Sequence, residues 1–367
     1  MAKTEKNEYG EDESRVSTQS IKCPSCGSNM VFEPETQMLY CEHCGTKRSF
    51  EQSITKEIDL LSGLNEDKAE WNKKDVSVFK CGNCGAKVVL SVGETAKTCP
   101  FCGTAHVEKS EELAGIKPNA VLPFAFSAEK ASEYSAVWAK KKLFAPRKFK
   151  KSLNPENVKG VYSPCFTFDS KTTSIYHGRI GKTHTRTVGS GKNRRTETYT
   201  VWRIISGTFY YNFDDVLVSA GNKVGQRTVE KLSPFDTNSG KEYKEHYLLG
   251  FMAYHYDKSI EDCWGVAKGK MDAEIKRAIL SQYSYDRVDY INVSTTHEAA
   301  TYKYVMLPVY VGNFNYKKKI FNFFVNGVSG RATGKTPVSF LRVLATVGLG
   351  LVAAAGIFLL LYFLNAK

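Results

Sequence analysis

The sequence of 367 residues predicts an α+β protein that opens with two small cysteine-rich modules and closes with an apolar helix. Three observations support this fold class. Eight of the ten cysteines form two similar sets in the N-terminal third, strand-like and helical segments alternate in the middle of the chain, and a long uncharged run follows. A net charge of +13 directs attention to anionic partners.

Each set of cysteines has the C-x2-C-x14-C-x2-C spacing that is typical of a tetrahedral zinc site. The two predicted ligand sets are Cys23, Cys26, Cys41 and Cys44, and Cys81, Cys84, Cys99 and Cys102. A glycine follows every pair, as a tight turn requires. Four thiolates leave no open coordination position, so the sequence predicts two structural Zn2+ ions in two zinc ribbons rather than a catalytic metal. We expect His43 and His106, beside the ligands, to lie outside the coordination sphere.

Disulfides and free thiols are the alternative interpretations of these cysteines. No secretory signal is recognisable before them, and a cytosolic glutathione pool keeps thiols reduced. The sequence therefore favours metal-bound thiolates. Cys165 and Cys263 fall outside both sets, and we expect them to be buried thiols.

The run 343–364 contains no charged residue and would form about 33 Å of helix, enough to cross a bilayer core of about 30 Å. A buried core helix is the alternative, but it would normally carry a polar stripe. Basic residues precede the run, from Lys317 to Arg342, and only Lys367 follows it. We predict a single-pass protein of the cell membrane with its N-terminal bulk in the cytoplasm.

The predicted domain boundaries follow from these features. They are 1–20 for a disordered tail, 21–50 for the first zinc ribbon, 51–78 for a helical linker, 79–108 for the second ribbon, 117–330 for an α+β domain and 339–365 for the transmembrane helix. In the linker, apolar residues recur at helical spacing at Ile54, Ile58, Leu61 and Leu64.

The α+β domain shows signs of an internal repeat. A strand near 121–126 is followed by a helix capped by Ser127 and by a long hairpin through 172–211. A second strand near 247–254, a helix capped by Ser259 and a strand pair over 304–325 repeat that order. Matching positions are Pro164 and Pro308, Phe124 and Phe251, and Trp138 and Trp264. We interpret them as a duplicated β-α-β-β unit, with chance as the alternative because the gap lengths differ.

Basic clusters are the remaining surface feature. One is the segment 140–151, a second contains Lys192, Arg194 and Arg195 in the hairpin, and a third contains Lys317, Lys318 and Lys319 near the membrane. A solvated face is the ordinary explanation of such clusters. We hypothesise that the second and third contact an anionic lipid surface. Aromatic residues interleave the hairpin, which also suits nucleic acid.

Catalytic signals are weak in comparison. No Ser/His/Asp or Cys/His arrangement stands out, and the neighbouring acidic residues do not form a natural acid–base pair. We therefore expect no enzyme activity and no catalytic residue.

Several motifs resemble those of a bacterial family. They are the two cysteine sets, Leu122-Pro-Phe124, Phe144-Ala-Pro-Arg147, Gly160-Val-Tyr-Ser-Pro164, Leu307-Pro-Val-Tyr310 and Phe324-Val-Asn-Gly327. The family comprises tail-anchored double zinc-ribbon proteins associated with SPFH/virion-core and phage-shock-type membrane proteins. The resemblance implies a membrane-anchored adaptor or scaffold at the cytoplasmic face, in a membrane-stress or membrane-remodelling complex with such proteins as partners. A membrane-tethered nucleic-acid-binding protein is the alternative.

Overall fold

The computed structural model describes residues 21–66, 77–90, 98–105, 107–110, 116–151, 157–317 and 319–365. The described part is mixed α+β and mostly sheet, with the two cysteine groups near the N-terminus and one apolar helix at the C-terminus. The predicted tail 1–20 lies outside the described residues.

Fifteen strands and six α-helices make up the described chain. The strands are β1 (Val31–Glu33), β2 (Met38–Tyr40), β3 (Lys47–Arg48), β4 (Ile58–Asp59), β5 (Ser77–Cys81), β6 (Lys87–Leu90), β7 (Val107–Ser110), β8 (Ala120–Val121), β9 (Val158–Val188), β10 (Arg195–Ser219), β11 (Lys241–Glu242), β12 (Met252–Tyr254), β13 (Arg287–Tyr316), β14 (Lys319–Asn326) and β15 (Ala332–Gly334). The helices are α1 (Leu60–Glu66), α2 (Ala128–Lys140), α3 (Arg147–Lys151), α4 (Gln226–Leu232), α5 (Ile260–Ser281) and α6 (Phe340–Asn365).

The antiparallel pair β9–β13 forms the centre of the fold. These strands pair from Arg287↔Gly181 to Gly312↔Val158, with two bulges. Residues 161–168 of β9 and 302–311 of β13 are buried without interruption. A strand that is buried on both faces reads as a continuous apolar run, which explains the sequence of both segments. The main sheet has the order β11-β8-β13-β9-β12-β6-β5-β7.

The strand register shows a two-fold relation between the halves of this domain. Strand β8 pairs in parallel with β13 (Ala120↔Val305), and β12 pairs in parallel with β9 (Met252↔Val161). Each short strand is followed by a helix, a long strand and a hairpin partner. The two pairings become equivalent when Pro164 is aligned with Pro308. This is the arrangement expected of a duplicated unit in which each half lends its first strand to the other half.

The aromatic equivalences inferred from the sequence are wrong. The helices α2 and α5 begin after Ser127 and Ser259, and this register aligns Phe124 with Tyr256 rather than with Phe251. Phe124 and Phe251 instead stack on each other, with ring centroids 4.3 Å apart. Likewise, Trp138 is not aligned with Trp264. Sequence spacing matched the residue types but not the register: it shifted these aromatic residues by five to six positions relative to the structural alignment of Ala120 with Met252 and of Ser127 with Ser259.

The core is divided by the sheet into two layers. Tyr162 and Tyr304 belong to the layer covered by α2 and α5, where the first cysteine module contributes Phe32. Val161 and Val305 belong to the opposite layer, where α4 and Phe101 of the second module pack. Phe32 of the first module and Phe101 of the second therefore pack against opposite faces of one sheet.

Beyond this core, the predicted hairpin is confirmed and is longer than expected. Strands β9 and β10 pair continuously from Arg195↔Val188 to Phe213↔Ser170 before a bulge. Burial alternates over 171–180 of β9, because α5 covers one face through Ile275 and Ile279 while the other face is open. Three strand segments thus form an extension of the main sheet, which we call the distal sheet: residues 195–213 of β10, 170–188 of β9 and 287–298 of β13.

The linker prediction holds only in part. Helix α1 starts at Leu60, while Ile54 forms an isolated bridge with Lys241 and Ile58 pairs with Tyr302. The helix is therefore shorter than the apolar spacing from Ile54 indicated, because Ile54 and Ile58 pair with strand edges instead. Residues 67–76 of the predicted linker lie outside the described part.

Candidate functional site

The same loop is built four times around the cysteine pairs. In each loop the N–H of the glycine after the second cysteine donates to the carbonyl of the first cysteine, as in Gly27 to Cys23, at 2.9 Å. These four glycines have φ between +71° and +77°, a conformation that other residues rarely adopt. A second bond closes the loop, as from the Cys23 N–H to the Ser28 carbonyl at 2.7 Å. The loops aim both sulfurs of a pair at one point.

The loops bring the predicted ligands together in two groups. Sulfur–sulfur distances are 3.5 Å for Cys23–Cys44 and 3.6 Å for Cys81–Cys102, and within each group all four sulfurs lie within 4.8 Å. None of these eight cysteines forms a disulfide. A tetrahedron with metal–sulfur bonds of about 2.3 Å has edges of ~3.8 Å, so these two groups have the size and donor set to hold metal ions.

Local hydrogen bonds make the thiols of the first group unequal. The Ser28 hydroxyl and then its backbone N–H lower the pKa of Cys26 to about 5. Although the Cys44 N–H lowers it, burial and the neighbouring thiols raise the pKa of Cys41 to about 11. In the second group, burial raises the pKa of Cys99 strongly. Some of these thiols thus ionise more easily than others, and a cation among them would favour the thiolate form of all four.

The first group is mounted on its own three-stranded sheet, β1-β2-β3, and contacts the domain along one edge. The Phe32 N–H donates to the Leu249 carbonyl at 3.0 Å, and the Phe32 ring packs 5.3 Å from that of Tyr247. The Gln37 amide donates to the Phe124 carbonyl at 2.8 Å. Cys26 and Cys44 remain exposed, so one side of this group faces solvent.

The second group is built into the main sheet. Strand β6 pairs with β12 through Val89↔Ala253, and Phe101 packs 5.2 Å from Tyr254 in an edge-to-face contact. The Lys223 ammonium donates to the Cys84 carbonyl. None of its cysteines is exposed. Loss of structure in this group would therefore also disturb the central sheet.

The two predicted basic clusters lie far from each other. His43 is exposed, and His106 and Lys318 lie outside the described residues. Residues Lys192, Arg194 and Arg195 occupy the tip between β9 and β10, whereas Lys317 and Lys319 flank the β13–β14 turn. That turn lies beyond the pair Gly312↔Val158, at the opposite end of β9. Since β9 has 31 residues, the two basic clusters can lie up to ~100 Å apart.

A buried charge cluster escaped the sequence analysis. The Lys303 ammonium lies 2.8 Å from Asp215 Oδ1 and 3.5 Å from Glu57 Oε1, and its side chain is only 7% exposed. Asp169 and Asp214 lie beside Glu57, with carboxylate oxygens within 4.8 Å. Burial and a hydrogen bond with Glu57 raise the pKa of Asp169 to about 7. Because Glu57 precedes β4, the cluster fastens the connection between the cysteine groups to the sheet. A lysine between buried tyrosines was the one signal of it.

Metal content should show that both cysteine groups bind metal, and thermal unfolding should distinguish the two groups. We expect about two metal ions per chain, with Cys23→Ser and Cys99→Ser each lowering the value towards one. Cys99→Ser should also lower the unfolding midpoint of the central domain, because its group is part of the main sheet. Cys23→Ser should lower that midpoint less, because the first group has its own sheet and contacts the domain along one edge. Elemental analysis and thermal unfolding provide the two readouts. Cys165→Ser, a buried thiol outside both groups, should retain two metal ions; a loss of metal in this control would contradict the assignment.

The charge cluster should make the fastening of β4 depend on pH. A carboxyl group with a raised pKa in the folded state stabilises it below the unfolded pKa, and this stabilisation is lost as pH rises through about 7. Hydrogen exchange at Ile58 and Asp59, corrected for intrinsic rates, should therefore show protection falling between pH 5 and 8. In Asp169→Asn, the loss of protection between these two pH values should be smaller by on the order of 1 kcal/mol. Asp289→Asn, at an exposed ion pair with Arg179, should not; equal pH dependence in both variants would refute the role of the cluster.

Comparison with known proteins gives one informative similarity. The chain is 30% identical over 328 residues to the protein named "Uncharacterized protein YdjG" of Bacillus subtilis (strain 168), which spans 89% of this chain and 92% of that protein. No family model matches the chain. No solved structure matches it either. With matched residues over nearly the whole of both sequences, the chain belongs to the same protein family as YdjG of Bacillus subtilis.

Proposed function

We propose that the protein is a membrane-anchored zinc-ribbon adaptor or scaffold at the cytoplasmic face, without catalysis. Its two metal-bound modules and the central domain form one recognition body, and α6 fixes that body to the bilayer. The family resemblance of the sequence suggests SPFH-type or phage-shock-type membrane proteins as partners, in a membrane-stress or membrane-remodelling complex.

The observation that carries this proposal is the contact between the N-terminal end of α6 and the central domain. Among the described residues, α6 is the helix with the length and apolarity to cross a membrane, and its candidate span Phe340–Leu359 is unburied. The Arg342 guanidinium donates to the carbonyls of Leu143 and Ala145 at 3.1 and 2.8 Å, and the Ser339 N–H donates to Phe144 at 2.8 Å. These bonds hold the central domain directly against the start of the helix.

Zinc is the metal that best suits the two cysteine groups. Soft thiolates in a tetrahedral arrangement select zinc or iron–sulfur chemistry, and an isolated four-thiolate site built from knuckle-like loops is the usual structural zinc site. With all four positions taken by sulfur, such an ion would organise the loops without binding substrate. The exposed side of the first group would then be available to a protein partner.

The turn between α2 and α3 is the surface that we propose to contact lipid. Leu143 is 73% exposed and Phe144 is 40% exposed, directly beside the base of α6. Exposed basic residues surround this turn: Lys140, Lys141, Arg147 and Lys148. Apolar side chains flanked by basic ones suit the boundary of an anionic leaflet. Basic residues on this side of the helix also favour the cytoplasmic orientation.

Lipid crosslinking should test this placement in the full-length protein. A benzophenone side chain at Leu143 should form adducts with phospholipids, because the turn lies at the bilayer surface. The same group at Val201, an exposed apolar residue of β10, should form few. Protease added outside intact cells should leave the central domain uncut. Adducts at Val201 but not at Leu143 would instead favour lipid contact through the hairpin.

A membrane-tethered nucleic-acid binder is the second candidate, supported by one feature of the distal sheet. The guanidinium of Arg179 lies 5.2 Å from the Trp202 ring and that of Arg186 lies 5.7 Å from the Tyr199 ring, on exposed strands. Such pairs can also stack on bases.

Binding to DNA and RNA across a salt series separates the two candidates. For the adaptor, we expect weak binding of the full-length protein that is unaffected by Trp202→Ala. A steep fall of affinity with salt, together with a loss of at least tenfold in Trp202→Ala, would favour the nucleic-acid binder.

A further inference from the structure

The outer edge of β10 is a long unpaired strand edge. Within the described residues, β10 pairs with β9 alone. The Thr183 N–H points away from β10, because it donates to the Asp286 carboxylate on the β13 side at 2.7 Å. Its partner Thr200 must then direct its own N–H and carbonyl to the free edge, since residues of a non-hydrogen-bonded pair point away from each other. The even-numbered residues around Thr200 share this orientation.

The two edges of the distal sheet differ in their protection against pairing. On the β13 edge, bulges interrupt the pairing at Val288/Tyr290 and at Glu298/Thr301, and Asp286 and Asp289 lie at its start. Bulges and charges are the usual means of blocking edge pairing. Between Arg195 and Phe213, β10 has neither a bulge nor a proline, and threonine, aromatic and β-branched residues predominate. The β10 edge is therefore the one suited to strand addition.

We propose that two copies of this chain associate through their β10 edges, in an antiparallel pairing centred on Thr200. The charges of the strand select this register. Glu197 of one copy then lies opposite the partner's Arg203, and the pair recurs by two-fold symmetry. Glu197 already contacts Arg186 on its own β9 at 3.2 Å and Arg195 on its own strand at 2.9 Å, so the partner's Arg203 would be a third arginine beside it. Opposite charges directly across a strand pair stabilise it, and like charges oppose it.

The register also satisfies the main chain. Thr200 meets the partner's Thr200, and Thr198 meets the partner's Trp202, so residues with free N–H and carbonyl groups face each other throughout. The product is a six-stranded sheet with the open faces of both distal sheets side by side. Trp202 and Ile204, which are exposed in the single chain, would lie on this shared face.

Disulfide trapping tests the register in the full-length protein in membranes. Two residues of a hydrogen-bonded pair have Cα atoms about 5.5 Å apart, which suits a disulfide. Thr200→Cys should give a covalent dimer under mild oxidation, identified by the crosslinked peptide. Thr208→Cys, an even-numbered residue of the same edge outside the proposed pairing, should give little. A disulfide joining Thr200→Cys to Thr296→Cys of another copy would instead show head-to-tail pairing with β13 and overturn the proposal.

Charge exchange tests the ionic pair without depending on cysteine chemistry. Glu197→Arg and Arg203→Glu should each weaken dimerisation by about tenfold or more, measured by native mass spectrometry or sedimentation in detergent, because two pairs become repulsive. The double variant, and an equimolar mixture of the single variants, should restore dimers, since each brings opposite charges together again. A protein that is monomeric at all concentrations, or single variants that dimerise like the parent chain, would refute the pairing. Loss of dimers without restoration would place the effect within the chain and also refute it.

Discussion

The pairing of β9 with β13 is the interaction on which the rest of the structure depends. It joins the two halves of the central domain along a common strand pair, and each half completes the other with a short parallel strand. Neither half could bury its apolar strands alone, because the residues that cover β9 come partly from the segment around β12. Separation of the two long strands would therefore expose both core layers at once, and this explains why the domain has no internal boundary that the sequence would show.

The cysteine groups are parts of this domain rather than independently folding modules. A small ribbon has little apolar surface of its own, so its metal and its neighbours supply the stability. Here Phe32 and Phe101 enter opposite core layers, and the strands β5 and β6 continue the main sheet. The division of the chain into ribbons, linker and domain describes its sequence segments more closely than its folding units. The zinc ions would act as local crosslinks inside one body.

Much of this arrangement could be predicted from the sequence, and the exceptions have physical reasons. The cysteine spacing identified both four-thiol groups, since a two-residue gap fixes a local turn. The long hairpin and α6 were equally clear, because alternation and apolar length are local signals. In contrast, the cluster around Lys303 joins residues from four distant segments, and no spacing rule connects Glu57 to Asp215. The docking of Arg342 on the carbonyls at Leu143 and Ala145 is also non-local, so no sequence signal indicated this fixed joint between the central domain and α6.

That joint has a mechanical meaning. A tail-anchored protein with a long free linker samples a hemisphere above the bilayer, and its orientation carries no information about the membrane. Here three hydrogen bonds at Ser339 and Arg342 connect α6, the candidate membrane span, to the turn between α2 and α3. In the membrane-anchored arrangement proposed above, a change in bilayer thickness that alters the tilt of α6 would either rotate the whole body or break these bonds. In that arrangement, a change in the tilt of α6 would be transmitted through this joint to the cysteine groups and the distal sheet.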